Sequence, residues 1–169
     1  MEPRSSRDLK TLRIVNAAAI AAVYVVLTAL AASVNLASGA IQVRFSEALT
    51  VLPFFTPAAV PGLATGCFLS NILTGCALPD IIFGTLATFL GALGTRYLKK
   101  HRFLCTLPPV IANTLIVPFI LTYAYHIPGG IPYLMLTVGI GEVISCMILG
   151  QILLTGLMPV AGRIFRSIK

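Results

Sequence analysis

The residues of this chain that are best suited to chemistry are a few charged side chains set inside long apolar stretches. Arg44 and Glu47 are three residues apart, so on a helix they share one face, where each lowers the other's cost of leaving water. Glu142 lies deep in another apolar segment that contains no basic residue, and Gly139 and Gly141 flank it. A carboxylate at that depth is costly to bury alone, and it can accept two N–H donors or balance a cationic ligand.

Three more polar side chains interrupt the apolar stretches, and each has two interpretations. Asn71 and Asn113 either contact a ligand or hydrogen-bond between helices. Asp80 follows Pro79, so it either contacts a ligand or caps a helix start. The Arg44–Glu47 pair is likewise either a substrate contact or purely structural. The candidate substrate-binding residues are Glu142, Asn113, Glu47, Asn71, Asp80 and Arg44.

No catalytic or metal-binding pattern accompanies these residues. The four cysteines have neither Cys-x-x-Cys spacing nor nearby histidines, so we expect buried, inert thiols and no metal or cofactor. No Ser/His/Asp arrangement is apparent, and we expect no enzyme activity. The chain also lacks a Gly-x-x-x-x-Gly-Lys-Ser/Thr phosphate loop, so ATP hydrolysis, if transport uses it, belongs to another chain.

The composition is that of an integral membrane protein. Of the 169 residues, 57% are hydrophobic and only 10% are charged, and the mean hydropathy is +0.96. That length suits a single membrane domain, 1–169, of about five to seven spanning helices. The net charge of +7 comes from basic residues at the ends of apolar runs, which favours a role in membrane orientation and argues against nucleic-acid binding.

Six apolar segments are predicted as helices. They lie at about 13–34, 41–56, 58–75, 80–98, 103–125 and 132–160. The first follows several basic residues, as in a signal peptide, but it is long enough to span and is predicted to be retained. The tyrosines at 123, 125 and 133 are expected in an interfacial aromatic belt.

The distribution of basic residues predicts the topology. All but Arg44 of the 12 basic residues cluster near the N-terminus, around 96–102 and near the C-terminus. If all three clusters face the cytoplasm, an even number of helices separates each from the next. Segment 41–75 must then be a short hairpin of helices 2 and 3. The prediction is an all-α bundle of six transmembrane helices with both termini cytoplasmic.

This topology assigns the polar residues of five helices to the outer half of the membrane, as an outward-facing pocket for a polar small molecule requires. At the other end, Ala17, Ala18, Ala21 and Ala22 give helix 1 a flat strip of small residues. Such a strip serves either docking to a partner helix or packing within the bundle.

The sequence resembles the QueT family of queuosine-precursor transporters over nearly its whole length. The most specific part is the run Ile41-Gln-Val-Arg-Phe-Ser-Glu-Ala-Leu-Thr-Val-Leu-Pro53. The other matching positions are Pro61-Gly62, Ser70-Asn71, Asp80-Ile-Ile-Phe-Gly84, Leu86-Ala87-Thr88, Pro109, Asn113 and Gly139-Ile-Gly-Glu142.

The resemblance implies a substrate-binding S component of an energy-coupling factor (ECF) importer in a bacterial plasma membrane. It implies partners, namely a transmembrane coupling subunit that docks on the alanine strip of helix 1 and two ATPase subunits. The ligand would be a 7-deazaguanine such as preQ1 or queuine. Glu142 would accept the N–H pair of the base and Asn113 or Asn71 would bind its carbonyl, while Glu47 or Asp80 would face the cationic aminomethyl arm.

A different function remains open from the residues alone. A buried carboxylate such as Glu142 serves equally well in a self-sufficient, proton-coupled small-molecule transporter. The two readings differ in whether uptake requires an ATPase partner.

Overall fold

The computed structural model describes residues 6–33 and 44–165, and all regular structure in that part of the chain is helical. This confirms the predicted all-helical class with six helices. They are α1 (Ser6–Ser33), α2 (Phe45–Phe54), α3 (Ala59–Leu73), α4 (Asp80–Gly84 continued by Thr85–Tyr97), α5 (Leu104–Tyr123) and α6 (Ile131–Ile164). The predicted connection 35–40, residues 41–43 of the second segment, and Arg4, Arg166 and Lys169 of the basic clusters lie outside the described residues.

Three of the described helices are long and apolar enough to cross a membrane. They are Arg7–Ser33, Leu104–Tyr123 and Ile131–Ile164, whereas α2 and α3 are apolar but shorter. These lengths support a membrane protein, and the spanning of all six helices stays a prediction. Helix α1 begins at Ser6, about two turns before its predicted start. The prediction was based on apolar residues, and the first two turns of the helix are mostly polar.

Helix α2 is a 3₁₀ helix that contains Pro53. With about 2.0 Å of rise per residue, a helix of this type is narrower and longer than an α-helix of the same length. Arg44 precedes it with an extended backbone (φ −105°, ψ 108°). Arg44 therefore precedes the helix instead of lying within it, and its carbonyl accepts a hydrogen bond from the Glu47 N–H over 3.1 Å. That the two side chains share one face stays a prediction. At the other end, Arg96 of α4 donates to the Pro53 carbonyl over 3.2 Å and satisfies the helix C-terminus.

Helices α1 and α3 run parallel in close contact. A Cβ atom at Gly62 would lie 2.7 Å from the Ala17 carbonyl oxygen, and one at Gly66 would lie 3.1 Å from the Ala21 Cα. Contacts that advance by four residues on both helices require the same direction. Because α1 and α3 run the same way, the chain returns to the starting end of the bundle between them, and α2 lies in that part of the chain.

The later helices alternate in direction. Asn71 near the end of α3 bonds the Asp80 backbone at the start of α4, and Cys67 bonds Thr88 further along, so α3 and α4 are antiparallel. The contacts between α4 and α5 and between α5 and α6 show the same relation. At the far end of the bundle, Phe165 after α6 stacks on Phe55 after α2, with ring centroids 5.5 Å apart.

The alanine strip of α1 divides between two environments. Ala21 is buried and Ala17 half-buried against the glycines of α3, so this side of the strip packs within the bundle. Ala18 and Ala22 are exposed. Packing within the bundle, one of the two predicted roles, is therefore present for Ala17 and Ala21. Docking to a partner stays a prediction for Ala18 and Ala22.

Candidate functional site

A cavity of ≈ 580 Å³ opens among the helices at one end of the bundle. Its walls come from the second half of α1, the ends of α3 and α5, the beginnings of α4 and α6, and the chain just before and within α2. The polar lining residues are Tyr24, Thr28, Arg44, Ser46, Ser70, Asn71, Thr74, Cys76, Asp80, Tyr125, Tyr133 and Thr137. Of the predicted site residues, Arg44, Asn71 and Asp80 line this cavity.

Asp80 is held at the first turn of α4, where the helix is wound as a π-helix over Asp80–Gly84. Its Oδ2 atom accepts a hydrogen bond from the Tyr125 hydroxyl over 3.0 Å, and that hydroxyl accepts one from the Ala77 N–H over 3.1 Å. No side-chain hydrogen bond caps α4, so the alternative of Asp80 as a helix cap is wrong. The carboxylate is used for contacts between helices and toward the cavity instead.

The second Asp80 carboxylate oxygen has no partner among the described residues. Asp80 is only 4% exposed, yet Oδ1 is buried without a hydrogen bond. A Cβ atom at Gly84 would lie 2.7 Å from this oxygen and 3.3 Å from the Asn71 Nδ2 atom. Glycine at position 84 therefore provides the space in which the carboxylate sits.

Asn71 fixes the backbone at the same place. Its side-chain Nδ2 atom donates to the Asp80 backbone carbonyl over 3.2 Å, and the backbone carbonyl of Asn71 accepts from the Cys76 N–H over 2.9 Å. The predicted interhelical role of this amide is therefore present. Because Asn71 also lines the cavity, the two predicted roles do not exclude each other.

Arg44 lies immediately before α2 and lines the cavity. Its backbone N–H donates to Ser145 Oγ on α6 over 3.2 Å, which places the start of α2 against that helix. Within residues 6–33 and 44–165 the guanidinium has no hydrogen-bond or ion-pair partner, although Asp80 and Glu47 lie within electrostatic range. Among the described residues, Arg44 is thus a cation at the cavity without a side-chain hydrogen-bond partner.

The other three predicted residues, Glu47, Asn113 and Glu142, are buried and do not line the cavity. Together with Cys146, and with Tyr24, which does line the cavity, they form what we call the carboxylate cluster. The Tyr24 hydroxyl donates to Glu47 Oε1 over 2.5 Å, and Asn113 Nδ2 lies 3.5 Å from Glu47 Oε2. The Cys146 thiol lies 3.2 Å from Glu142 Oε2. Its own apolar segment suggested an isolated carboxylate, but Glu142 lies close to the carboxylate of Glu47.

Glu47, Glu142 and Cys146 are also close enough to be considered as metal ligands. One ligand atom from each lies within 4.8 Å of the others, and carboxylates with a thiolate suit Zn²⁺. However, Tyr24 and Asn113 already donate to Glu47, and the thiol donates to Glu142. Three of the four carboxylate oxygens thus have a hydrogen-bond partner, so the present geometry fits an internal polar network better than a cation site.

Sequence reasoning missed two tyrosines. Tyr24 lies in the middle of α1 and is 1% exposed, and the available signal was a hydroxyl placed far from either end of a predicted span. Tyr125 was expected in an interfacial belt, but its hydroxyl joins α5 to Asp80 and Ala77. No spacing pattern in the sequence predicts that contact, because it joins residues 45 positions apart.

A helical bundle with membrane-length apolar helices and an open cavity that several polar side chains line is the architecture expected of a small-molecule membrane transport protein. The family model described as QueT transporter matches residues 14–159, a range that includes most of α1 and α6 and all the helices between them. The chain belongs to the QueT transporter family. Comparison with curated proteins and with solved structures gives no significant match.

Proposed function

We propose that this chain is the substrate-binding S component of an ATP-driven ECF importer and captures a queuosine precursor in the cavity. The observation that carries the proposal is the cavity itself, at ≈ 580 Å³ and lined by Arg44, Asn71 and Asp80. Its size falls in the range of about 300–1,000 Å³ typical of small-molecule sites. Membership of a transporter family supports a small-molecule substrate.

The lining chemistry suits a 7-deazaguanine such as preQ1 or queuine. The base offers N–H donors and a carbonyl on its guanine edge, which fit carboxylate acceptors and amide or guanidinium donors. Asp80 supplies the acceptor in the wall and Arg44 supplies donors there, whereas the Asn71 Nδ2 atom already donates to the Asp80 carbonyl and to Cys67 Sγ. Tyr24 and Tyr133, which also line the cavity, provide ring surface for a flat heterocycle.

The carboxylate cluster forms the floor under this site in the proposal. Glu142 follows the cavity residue Val138 by one turn of α6, and Tyr24 lines the cavity while bonding Glu47. A ligand that displaces the Tyr24 hydroxyl gains access to the two carboxylates. Glu142, Glu47 and Asn113 therefore stay in the proposed site as deeper contacts.

Orientation and coupling complete the proposal. The positive-inside rule places the basic ends of the chain in the cytoplasm of a bacterial cell, and the cavity then opens outward. The chain has no phosphate loop, so two ATPase subunits and a coupling subunit provide the energy. The exposed residues Ala18 and Ala22 of α1 are the proposed contact with the coupling subunit.

Binding to the purified chain tests the substrate assignment. We expect saturable one-to-one binding of preQ1 or queuine in calorimetry, and no binding of unrelated vitamins of similar size. Gly156→Ala is a suitable control, since a Cβ atom there meets nothing within 4 Å. Failure of every 7-deazaguanine to bind would overturn the assignment.

Uptake measurements test the coupling. The chain reconstituted with its partner subunits should import ligand only with ATP, and the chain alone should not import it. Uptake by the chain alone that collapses with the proton gradient would overturn the S-component proposal in favour of a proton-coupled carrier.

A further inference from the structure

The Asp80 carboxylate is the one place in the cavity wall where a buried charged group keeps an unused acceptor among the described residues. Its Oδ1 atom has no hydrogen-bond partner, and the residue is 4% exposed. Leaving a buried acceptor of a charged group unsatisfied costs more than leaving a neutral one. Oδ1 has less than 1 Å² of accessible surface and lies against Gly84, so a ligand donor pairs with it once the carboxylate, which lines the cavity, turns toward the ligand.

The surrounding contacts hold the carboxylate in place before any ligand arrives. Tyr125 donates to Oδ2 and is itself fixed by the Ala77 N–H. Asn71 bonds the Asp80 carbonyl, and Gly84 leaves the space that Oδ1 occupies. One oxygen is thus anchored while the other is left free, and a positioned acceptor loses little freedom on binding.

The charge of Asp80 favours a cation beside it. Among the described residues that line the cavity, Arg44 is the one basic residue and Asp80 the one acidic residue. Glu47 and Glu142 lie in the cluster beneath. A positively charged ligand group meets the opposite charge at Asp80, whereas a negative group meets a like charge there.

We propose that the Asp80 carboxylate accepts a hydrogen bond from a protonated amine of the ligand, with Tyr125 as its positioning residue, so that this wall selects aminated over neutral ligands. The inference rests on the proposed function, because it assigns the aminomethyl arm of a 7-deazaguanine to Asp80 rather than to Glu47. Glu47 already accepts from Tyr24 and Asn113, whereas Asp80 Oδ1 has capacity to spare.

The test compares two ligands on one variant. Asp80→Asn keeps the shape and an acceptor for Tyr125 but removes the charge. We expect calorimetry to show roughly ten- to hundredfold weaker binding of preQ1, as for loss of a charged hydrogen bond. Binding of the analogue with a nitrile in place of the aminomethyl group, 7-cyano-7-deazaguanine, should change by less than about threefold.

The affinity ratio between the two ligands separates recognition from general damage to the protein. Equal weakening of both ligands, or no change in either, would overturn the assignment of the amine to Asp80. A wild-type chain that binds no 7-deazaguanine at all would instead overturn the proposed function, and the assignment with it.

A second variant tests the positioning role and does not alter the carboxylate. Tyr125→Phe removes one hydroxyl, and we expect it to weaken preQ1 by about two- to tenfold while sparing the nitrile analogue. Tyr123→Phe is the matched control, since Tyr123 lies two residues away and is 69% exposed. A Tyr125→Phe chain with unchanged preQ1 affinity would remove Tyr125 from the proposal.

Discussion

The cavity wall and the carboxylate cluster contain the same kinds of side chain, yet they use them differently. In the wall, Asp80 has an unpaired oxygen and Arg44 has unused donors within the described residues. In the cluster, the carboxylates of Glu47 and Glu142 accept hydrogen bonds from neighbouring side chains. In the proposed site the wall therefore makes the first contacts with a ligand, whereas the hydrogen bonds of the cluster join helices and open only to a ligand that displaces the Tyr24 hydroxyl.

The largest effect is expected from breaking the cluster. Glu47→Ala leaves the Tyr24 hydroxyl and the Asn113 amide without their acceptor in the protein interior, and we expect a loss of roughly 2–5 kcal/mol in unfolding free energy. Thermal and denaturant unfolding in detergent measure it. Glu47→Gln, which retains an acceptor for Tyr24, should lose less, and wild-type stability in Glu47→Ala would contradict a structural role for the cluster.

The next largest effect is expected in the wall, and it concerns binding rather than stability. In Gly84→Ala the new methyl group would lie 2.7 Å from Asp80 Oδ1 and displace the carboxylate. We expect about tenfold weaker preQ1 binding in calorimetry, with Gly156→Ala unchanged as the matched glycine control. Full affinity in Gly84→Ala would show that the position of Asp80 does not matter to the ligand.

Glu142 tests whether the two regions are as separate as their contacts indicate. Glu142→Gln keeps the size of the side chain but removes its charge. In the proposed site the ligand reaches the carboxylate cluster by displacing the Tyr24 hydroxyl, so we expect about two- to tenfold weaker ligand binding in calorimetry. An unchanged affinity would remove Glu142 from the site and make the wall alone responsible for recognition.

The sequence predicted the helical class and the residue types of the site because both depend on local composition and spacing. Arg44, Asn71 and Asp80 are visible as polar interruptions in apolar segments. The division of the six candidates into wall and cluster was not predictable, since it depends on which helices touch. The contact of Tyr24 with Glu47 spans 23 residues, and that of Asn113 with Glu47 spans 66.

The 3₁₀ winding of α2 escaped prediction for a related reason. An apolar run with Pro53 fits several helical forms, and burial among neighbouring helices decides between them. The extended backbone at Arg44 places this residue before the helix, and its guanidinium and the Glu47 carboxylate stay within electrostatic range of each other without an ion pair among the described residues. One guanidinium faces the cavity, and one carboxylate joins the cluster.

The smallest effect on the isolated chain is expected from substitutions on the exposed side of α1. Here too, an exposed surface can be compared with one that packs inside the bundle. Ala18 and Ala22 are exposed, whereas Ala21 packs against Gly66. Ala18→Leu with Ala22→Leu should leave unfolding and ligand binding within error and reduce co-purification with the coupling subunit. Ala21→Leu should lower stability instead, because the larger side chain meets the backbone of α3. If the double variant assembles and imports ligand like wild type, the exposed strip is not the docking surface, and the small residues of α1 serve only its packing against α3.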